Sequence, residues 1–317
     1  MGTAEKVGGR LKTAILLLAT ALGLPGATYY VTIAGLGGAP DYDTQFKKWA
    51  TDLDRELHAN GPSVQVITLT GDSATRQHIQ ETLSRLAIQI QTDDAFALVL
   101  IGHGTFDGDD YKFNVPGHDI TGAELAALLN KIPAHRQLVV NTTSCSGGSL
   151  PTLARKGRIV VTATKSGTEK NATVFARYWI DALHDPAADA DHNGTISALE
   201  AFRYAERKTA AYFEAEKLLA TEHPELTDTG AANAVRDPSP ENGQGLLAAA
   251  FPVLKPPTET ARAVSPEKQK LVSKKEDLEA RIDRLKYQKA AIPPEEYRQQ
   301  LNELLLELAR TQAEIDR

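Results

Sequence analysis

The residues of this sequence best suited to covalent chemistry are His103 and Cys145. Each follows a hydrophobic block, ALVLIGHG for the histidine and LVVNTTSC for the cysteine, which is the only cysteine in 317 residues. A thiolate is a nucleophile, and an imidazole beside it either removes the thiol proton or, when protonated, lowers the thiol pKa. Gly104 lacks a side chain, so its backbone N–H is predicted to be free for a developing oxyanion, with the N–H of Cys145 as a second donor.

Each of these two side chains also has an ordinary structural explanation. A lone cysteine is more often a small buried hydrophobic residue, and a lone histidine more often packs or forms a hydrogen bond. The shared placement after hydrophobic blocks changes this balance, because side chains at the ends of adjacent parallel strands meet at one edge of the sheet. The pattern therefore predicts a His103–Cys145 dyad.

A second chemical motif is the acidic stretch DADHNGTISALE, residues 189–200. Its oxygen-bearing residues fall at the ligand positions of an EF-hand loop, with Gly194 where the loop must turn sharply. Such donors suit calcium, and the predicted ligands are Asp189, Asp191, Asn193, the carbonyl of Thr195, Ser197 through water, and Glu200. The alternative is an acidic turn that caps the next helix. The sequence shows no second loop of this kind, so we expect one structural calcium ion rather than a sensor.

The elements that must position these residues alternate along the chain. Hydrophobic blocks predict strands, and amphipathic spacing predicts helices between them, which favours an α/β fold with a mostly parallel sheet covered on both faces. The strands are predicted at Tyr29–Leu36, Val64–Thr68, Ala95–Ile101, Leu138–Asn141 and Arg158–Thr164. Ligands of such sheets bind beyond the carboxyl ends of the strands, where His103 and Cys145 lie.

Composition excludes several classes of protein. The formal net charge of −6 provides no attraction for nucleic acid or an anionic membrane. One cysteine forms no intrachain disulfide, and the eight histidines show no close paired spacing that would favour zinc. No organic cofactor is expected.

The N-terminal segment, residues 1–28, is predicted to be a signal peptide or anchor, because Lys6, Arg10 and Lys12 precede an apolar run. This predicts export to a periplasm or the exterior, with membrane contact only through an uncleaved N-terminus.

The C-terminal part of the chain changes character after the predicted catalytic domain, residues 29–251. Residues 252–267 are rich in proline and polar residues and read as a linker. Residues 268–317 carry a heptad-like apolar seam interrupted by Pro293 and Pro294, which predicts a helical hairpin. The hairpin either folds back on its own domain or serves as an arm for a protein partner or self-association. Residues 221–247 have two interpretations from the sequence, a mobile loop near the site or an excisable linker.

Several blocks in the same order resemble the legumain branch of the caspase-like cysteine peptidases known as clan CD, and especially a bacterial group of exported members. These blocks are GLGGAPDYDTQF, LTGDSATRQHI, IGHGTFDG, YKFNVPGHDITGAELAALL, VVNTTSCSGGSL, VVTATKSGTEKNA and ADADHNGTISALEAFRYA. The resemblance implies a caspase-hemoglobinase fold, a three-layer sandwich around a six-stranded sheet. It also implies an endopeptidase or transpeptidase reaction on a protein or peptide, with the dyad His103 and Cys145 and with Gly104 at the oxyanion hole.

Departures from the legumain pattern concern the substrate pocket. Thr143 stands where legumain-like enzymes have a pocket-lining acidic residue, so asparagine specificity does not carry over. Ser166 and Glu169 occupy the region that forms a pocket wall in the clan, and Glu169 is either a contact for Lys or Arg of a substrate or a solvated loop residue. Three hypotheses remain: an endopeptidase, a transpeptidase on the same dyad, and a catalytically silent, calcium-stabilised envelope scaffold acting through its hairpin.

Overall fold

The computed structural model describes residues 26–61 and 64–254, individual positions between 268 and 285, and residues 292–315. Residues 1–25 of the predicted signal or anchor therefore lie outside the described residues, and so do residues 255–267 of the predicted linker. Within the described ranges no helix combines the length and apolar character required to cross a membrane.

Strands and helices alternate through the described chain, as the hydrophobic pattern predicts. The strands are β1 (Thr28–Ala34), β2 (Val64–Leu69), β3 (Ala95–Ile101), β4 (Gly104–Phe106), β5 (Tyr111–Phe113), β6 (Ile120–Thr121), β7 (Arg136–Asn141), β8 (Arg158–Thr162), β9 (Ile196–Ser197), β10 (Glu225–Thr227) and β11 (Pro252–Leu254). The helices are α1 (Pro40–His58), α2 (Arg76–Gln89), α3 (Gly122–Leu129), α4 (Leu150–Leu153), α5 (Phe175–Asp181), α6 (Ala198–Ala215), α7 (Leu246–Ala249) and α8 (Pro294–Ile315).

The central sheet has six strands in the order β10-β8-β7-β3-β1-β2. All neighbours run parallel except β10, which pairs antiparallel with β8 at the edge. Every residue of β3, AFALVLI, is buried, because layers on both faces exclude water from a central parallel strand. The predicted α/β fold with a mostly parallel six-stranded sheet is confirmed.

Helices cover both faces of this sheet and make three layers. Tyr30 and Val99 belong to the core under α1, α5 and α6, whereas Val31 and Leu98 belong to the core under α2, α3 and α4. Alternate residues of one strand thus enter opposite cores, as the strand period of two requires. The predicted apolar helix faces are buried: Phe46, Trp49, Ala50, Leu53 and Leu57 in α1, and Ile79, Leu83 and Leu86 in α2.

Two parts of the chain differ from the sequence prediction. Strands β4, β5 and β6 form a small antiparallel sheet where only a loop was expected, because strands this short carry no readable periodicity. The segment 221–247 belongs to the domain: it supplies β10, Leu226 bridges to Val235, and the Asp228 carboxylate accepts an N–H from Gly245 at 2.9 Å.

The C-terminal region forms a separate apolar cluster. The described positions between 268 and 285 are helical, and α8 begins at Pro294, as expected for the predicted corner. Leu278, Ile282 and Leu285 cluster with Leu304 of α8. Lys274 Nζ lies 2.9 Å from Glu307 Oε1. These contacts pair two helical segments, and the part of the predicted hairpin corner before residue 292 lies outside the described residues.

Candidate active site

His103 lies in the short junction between β3 and β4. Its half-buried ring meets the rings of Tyr42 and Phe46 edge-on, with centroid distances of 5.0 and 5.1 Å, and a ring N–H donates to the Gly37 carbonyl. Burial lowers the pKa of His103, although the Gly37 hydrogen bond and the charge of Asp43 oppose it. The imidazole is therefore neutral near pH 7, and its second nitrogen carries a lone pair that can accept a proton.

The start of α1 orients this histidine through Gly37. The Gly37 N–H donates to Asp43 Oδ1 at 2.6 Å, so its carbonyl faces His103 from a fixed loop. A Cβ at Gly37 would lie 2.3 Å from the Asp43 nitrogen, which only glycine avoids. Neither Gly37 nor Asp43 was singled out from the sequence, because the approach depends on how α1 packs beside the sheet edge.

Cys145 follows β7, next to β3 in the sheet, and adopts a left-handed backbone conformation with φ of 58°. The residue is 2 % exposed, its N–H donates to the Glu169 carbonyl at 2.8 Å, and its sulfur accepts the Phe106 N–H. Burial raises the pKa of the Cys145 thiol, against the lowering effects of Lys170 and of the Phe106 N–H. The resting side chain is a thiol rather than a thiolate.

Ser144 joins the two candidate loops. Its Oγ donates to the Gly104 carbonyl at 3.0 Å and accepts the Gly104 N–H at 3.1 Å. The residues next to His103 and Cys145 are therefore bonded to each other, across strands that pair in parallel. Within the described chain no direct hydrogen bond joins the imidazole to the thiol, so proton transfer needs a shift of one side chain or a bridging group.

The predicted oxyanion donors are already engaged in this structure. Gly104 donates its N–H to Ser144 Oγ, and Cys145 donates its N–H to Glu169. The expectation that the Gly104 N–H is left free was wrong, because the space above this glycine is filled: a Cβ there would lie 2.6 Å from the Ser144 carbonyl oxygen. Either donor reaches a substrate only by exchanging its present partner.

The predicted pocket residues fall into different environments. Thr143 is fully buried and belongs to a hydrogen-bonded network with Asn141 and Tyr111, so its side chain does not face solvent in this structure. Ser166 is half-buried and bonds to Thr168 through its hydroxyl.

The Glu169 side chain is 10 % exposed and is not a solvated loop glutamate. Its carboxylate accepts from His223 Nδ1 and, at 3.0 Å, from the Lys165 N–H. His223 lies 54 positions further along the chain, so the sequence offered no signal for this pair. The negative charge that was predicted to attract Lys or Arg of a substrate is thus already paired inside the protein.

The acidic loop brings three of its six predicted ligands together. Carboxylate oxygens of Asp189, Asp191 and Glu200 lie within 4.8 Å of one another, and Gly194 has the positive φ of 79° that the turn requires. The other predicted ligands contribute to the loop's own bonds: Asn193 Oδ1 accepts the Thr195 N–H at 2.7 Å, and Ser197 Oγ forms a capping box with Glu200. Three converging carboxylates fit a hard divalent cation such as calcium.

A strand from a distant part of the chain pairs with the end of the acidic loop. The end of the loop, β9, pairs antiparallel with β11, and the Ala198 N–H donates to the Phe251 carbonyl at 2.8 Å. The Tyr30 hydroxyl also donates to the Val253 carbonyl at 2.9 Å, so β11 contacts the central sheet. The loop is therefore built into the domain.

Comparison with known proteins gives similarity at the level of structure only. No family model and no curated protein match this sequence. The structure is similar to protein GSU0716 from Geobacter sulfurreducens, with 14 % identity, a TM-score of 0.45, and coverage of 68 % of this chain and 96 % of that one. It is similar to caspase-1 from Spodoptera frugiperda, with 13 % identity, a TM-score of 0.45, and coverage of 65 % and 86 %. It is also similar to Raptor from Chaetomium thermophilum, with 10 % identity, a TM-score of 0.37, and coverage of 52 % and 19 %.

Proposed function

We propose that this protein is a cysteine peptidase that uses His103 and Cys145. The supporting observation is the two-way hydrogen bond between Ser144 and Gly104, which ties the loops after β7 and β3 together beside both side chains. This observation supports placing the histidine and the only cysteine of the chain at the same edge of the sheet, each held by further main-chain contacts.

The neutral states of the two groups favour general-base catalysis over a preformed ion pair. The Gly37 bond fixes one imidazole nitrogen as a donor, and the other takes the thiol proton as sulfur attacks the peptide carbonyl carbon. The imidazolium then returns this proton to the leaving amine as the C–N bond breaks. Water hydrolyses the thioester in a peptidase, whereas a second amine resolves it in a transpeptidase, the alternative that the same geometry supports.

The test is cleavage of an unfolded protein substrate with calcium present, followed by mass spectrometry. Cys145→Ala should abolish cleavage, and His103→Ala should reduce it by about 10²–10⁴-fold, the range for loss of a general base. His118→Ala is the matched control, because His118 is exposed in the β5–β6 connection. Cleavage that survives Cys145→Ala would rule out this function. The silent scaffold would be favoured if the wild type cleaves no substrate and if Cys145 is alkylated at pH 7 at the same rate in the wild type and in His103→Ala.

We also propose that the acidic loop binds one structural calcium ion. The convergence of the Asp189, Asp191 and Glu200 carboxylates supports this proposal. Because β9 at the end of the loop pairs with β11, a bound ion would stabilise the attachment of the loop to the domain. A hard cation bound there would be held by carboxylate oxygens that now accept backbone N–H bonds from the same loop.

A further inference from the structure

The ring of Phe106 fills the space between the two loops that flank the thiol. A Cβ at Gly148, in the turn after Cys145, would lie 2.6 Å from Phe106 Cδ2, and a Cβ at Gly167, in the loop after β8, would lie 2.3 Å from Cδ1. Real Cβ contacts are not this short, so both positions need glycine as long as the ring is present. The half-buried ring thus lies between two surfaces of bare backbone.

The backbone of Phe106 explains why the ring is at this place. At the two ends of β4, the His103 carbonyl accepts the Asn114 N–H at 3.1 Å, and the Asp107 N–H donates to the Asp110 carbonyl at 3.4 Å, so the backbones of His103 and Asp107 are directed toward the β5 side. Along an antiparallel strand, backbone N–H groups alternately face the partner strand and face away from it. The N–H groups of Gly104 and Phe106 therefore face away from β5. They bond to Ser144 Oγ and to the Cys145 sulfur.

The residue that supplies the scissile carbonyl must place its side chain beside the sulfur, because its Cα is bonded to the carbon that the sulfur attacks. Phe106 contacts that sulfur through its N–H and fills the adjacent gap with its ring. On the other candidate wall the negative charge of Glu169 is already paired, since its carboxylate is bonded to His223 and to the Lys165 N–H. The positive charge of Lys170 acts on the thiol, and the size of the gap that Phe106 leaves is the second property on which this subsite can select.

We propose that Phe106 determines specificity by restricting the position before the scissile bond to small side chains such as glycine, alanine or serine. The inference rests on the proposed peptidase function and adds a substrate class to it. A bulky side chain enters only if the ring leaves its place between Gly148 and Gly167. Removing the ring should therefore admit large apolar residues.

The experiment uses peptidyl chloromethyl ketones that end in Ala, Phe, Lys or Asp, with inactivation rate constants measured on the full chain with calcium present. The wild type should react with the Ala reagent about 10–200-fold faster than with the Phe reagent, the range for steric discrimination in a pocket. Phe106→Ala should raise the rate with the Phe reagent at least about tenfold relative to the rate with the Ala reagent in the same variant.

Two further variants keep the test decisive. Phe106→Leu should give an intermediate ratio and replaces Phe106→Ala if a melting curve shows that the alanine variant is unfolded. Thr105→Ala, at an exposed neighbour on the same strand, should keep the wild-type ratio. The inference about Phe106 would be overturned, with the peptidase function still standing, if the wild type prefers the Phe, Lys or Asp reagent. The same conclusion would follow if Phe106→Ala leaves the ratio of the Ala and Phe rates unchanged. If no peptidyl reagent labels Cys145 faster than iodoacetamide does, the peptidase function fails, and the inference with it.

Discussion

The thiol loop, residues 141–149, and the acidic loop, residues 189–200, are built in opposite ways. In the thiol loop, Ser144 and Cys145 are held by distant partners: Ser144 bonds a residue 40 positions earlier, and Cys145 bonds Glu169 in the loop after β8. In the acidic loop, bonds to the carboxylates of Asp189 and Glu200 come from the loop itself. The thiol loop is buried, whereas residues 190–194 of the acidic loop are exposed. Substitution and pH should therefore perturb the first, and calcium the second.

The largest expected effect is on the alkylation rate of Cys145 as a function of pH. Because burial raises the pKa of the thiol, the thiolate fraction should grow about tenfold per pH unit, so iodoacetamide labelling should accelerate roughly a hundredfold between pH 7 and 9. Intact-mass spectrometry follows the labelling, with urea-unfolded protein as the control, whose rate should be half-maximal at a pH of about 8.5. A plateau of the folded protein below pH 8 would contradict a thiol governed by burial.

The next effect is on stability, through one substitution made in both loops. Ser144→Ala leaves the N–H and carbonyl of Gly104 buried without their partner, which should cost about 2–4 kcal/mol of unfolding free energy. Ser197→Ala removes the cap of α6 and the hydroxyl's bond to Glu200, both partly exposed, and should cost about 1 kcal/mol. Urea unfolding at saturating calcium measures both. If both substitutions lower the free energy of unfolding by the same amount, the hydrogen bonds of the buried thiol loop contribute no more to stability than those of the acidic loop.

The third effect is the response to calcium. At a concentration a hundredfold above its dissociation constant, calcium should stabilise the fold by about 2.7 kcal/mol, and a chelator should remove this gain. Asp189→Asn, which keeps the shape of the side chain but loses its charge, should abolish most of the response. Thermal melts with calcium, magnesium and chelator provide the measurement. A calcium shift that persists in Asp189→Asn would place the ion elsewhere.

The same contrast explains how much the sequence could predict. The bounds of β3 and the buried faces of α1 and α2 followed from local patterns, and the structure agrees with them. The acidic loop is equally local, so its turn at Gly194 was predictable. These features depend on residues within one or a few turns of chain.

The surroundings of the thiol could not be predicted, because they depend on tertiary contacts. Gly104 was expected to leave its N–H free, but the absence of a side chain instead allows Ser144 to approach closely. Thr143 was expected in a pocket, yet the chain after β7 stays buried and turns this side chain into a polar network. Phe106 carries no local signal for its position beside the sulfur, which arises from the outward edge of β4.

The pairing of β9 with β11 also has a mechanical consequence. β11 is the last described strand before the C-terminal helices, so tension applied to those helices enters the domain through it. The load passes to Ser197, three residues before the carboxylate of Glu200, and to the hydroxyl of Tyr30 in the central sheet. An ion that fastens the acidic loop would thus act as a clamp in line with the pull. The side chains of Tyr30 and Asn60, which both donate to the Val253 carbonyl, would pass the remaining load to β1 and to the end of α1.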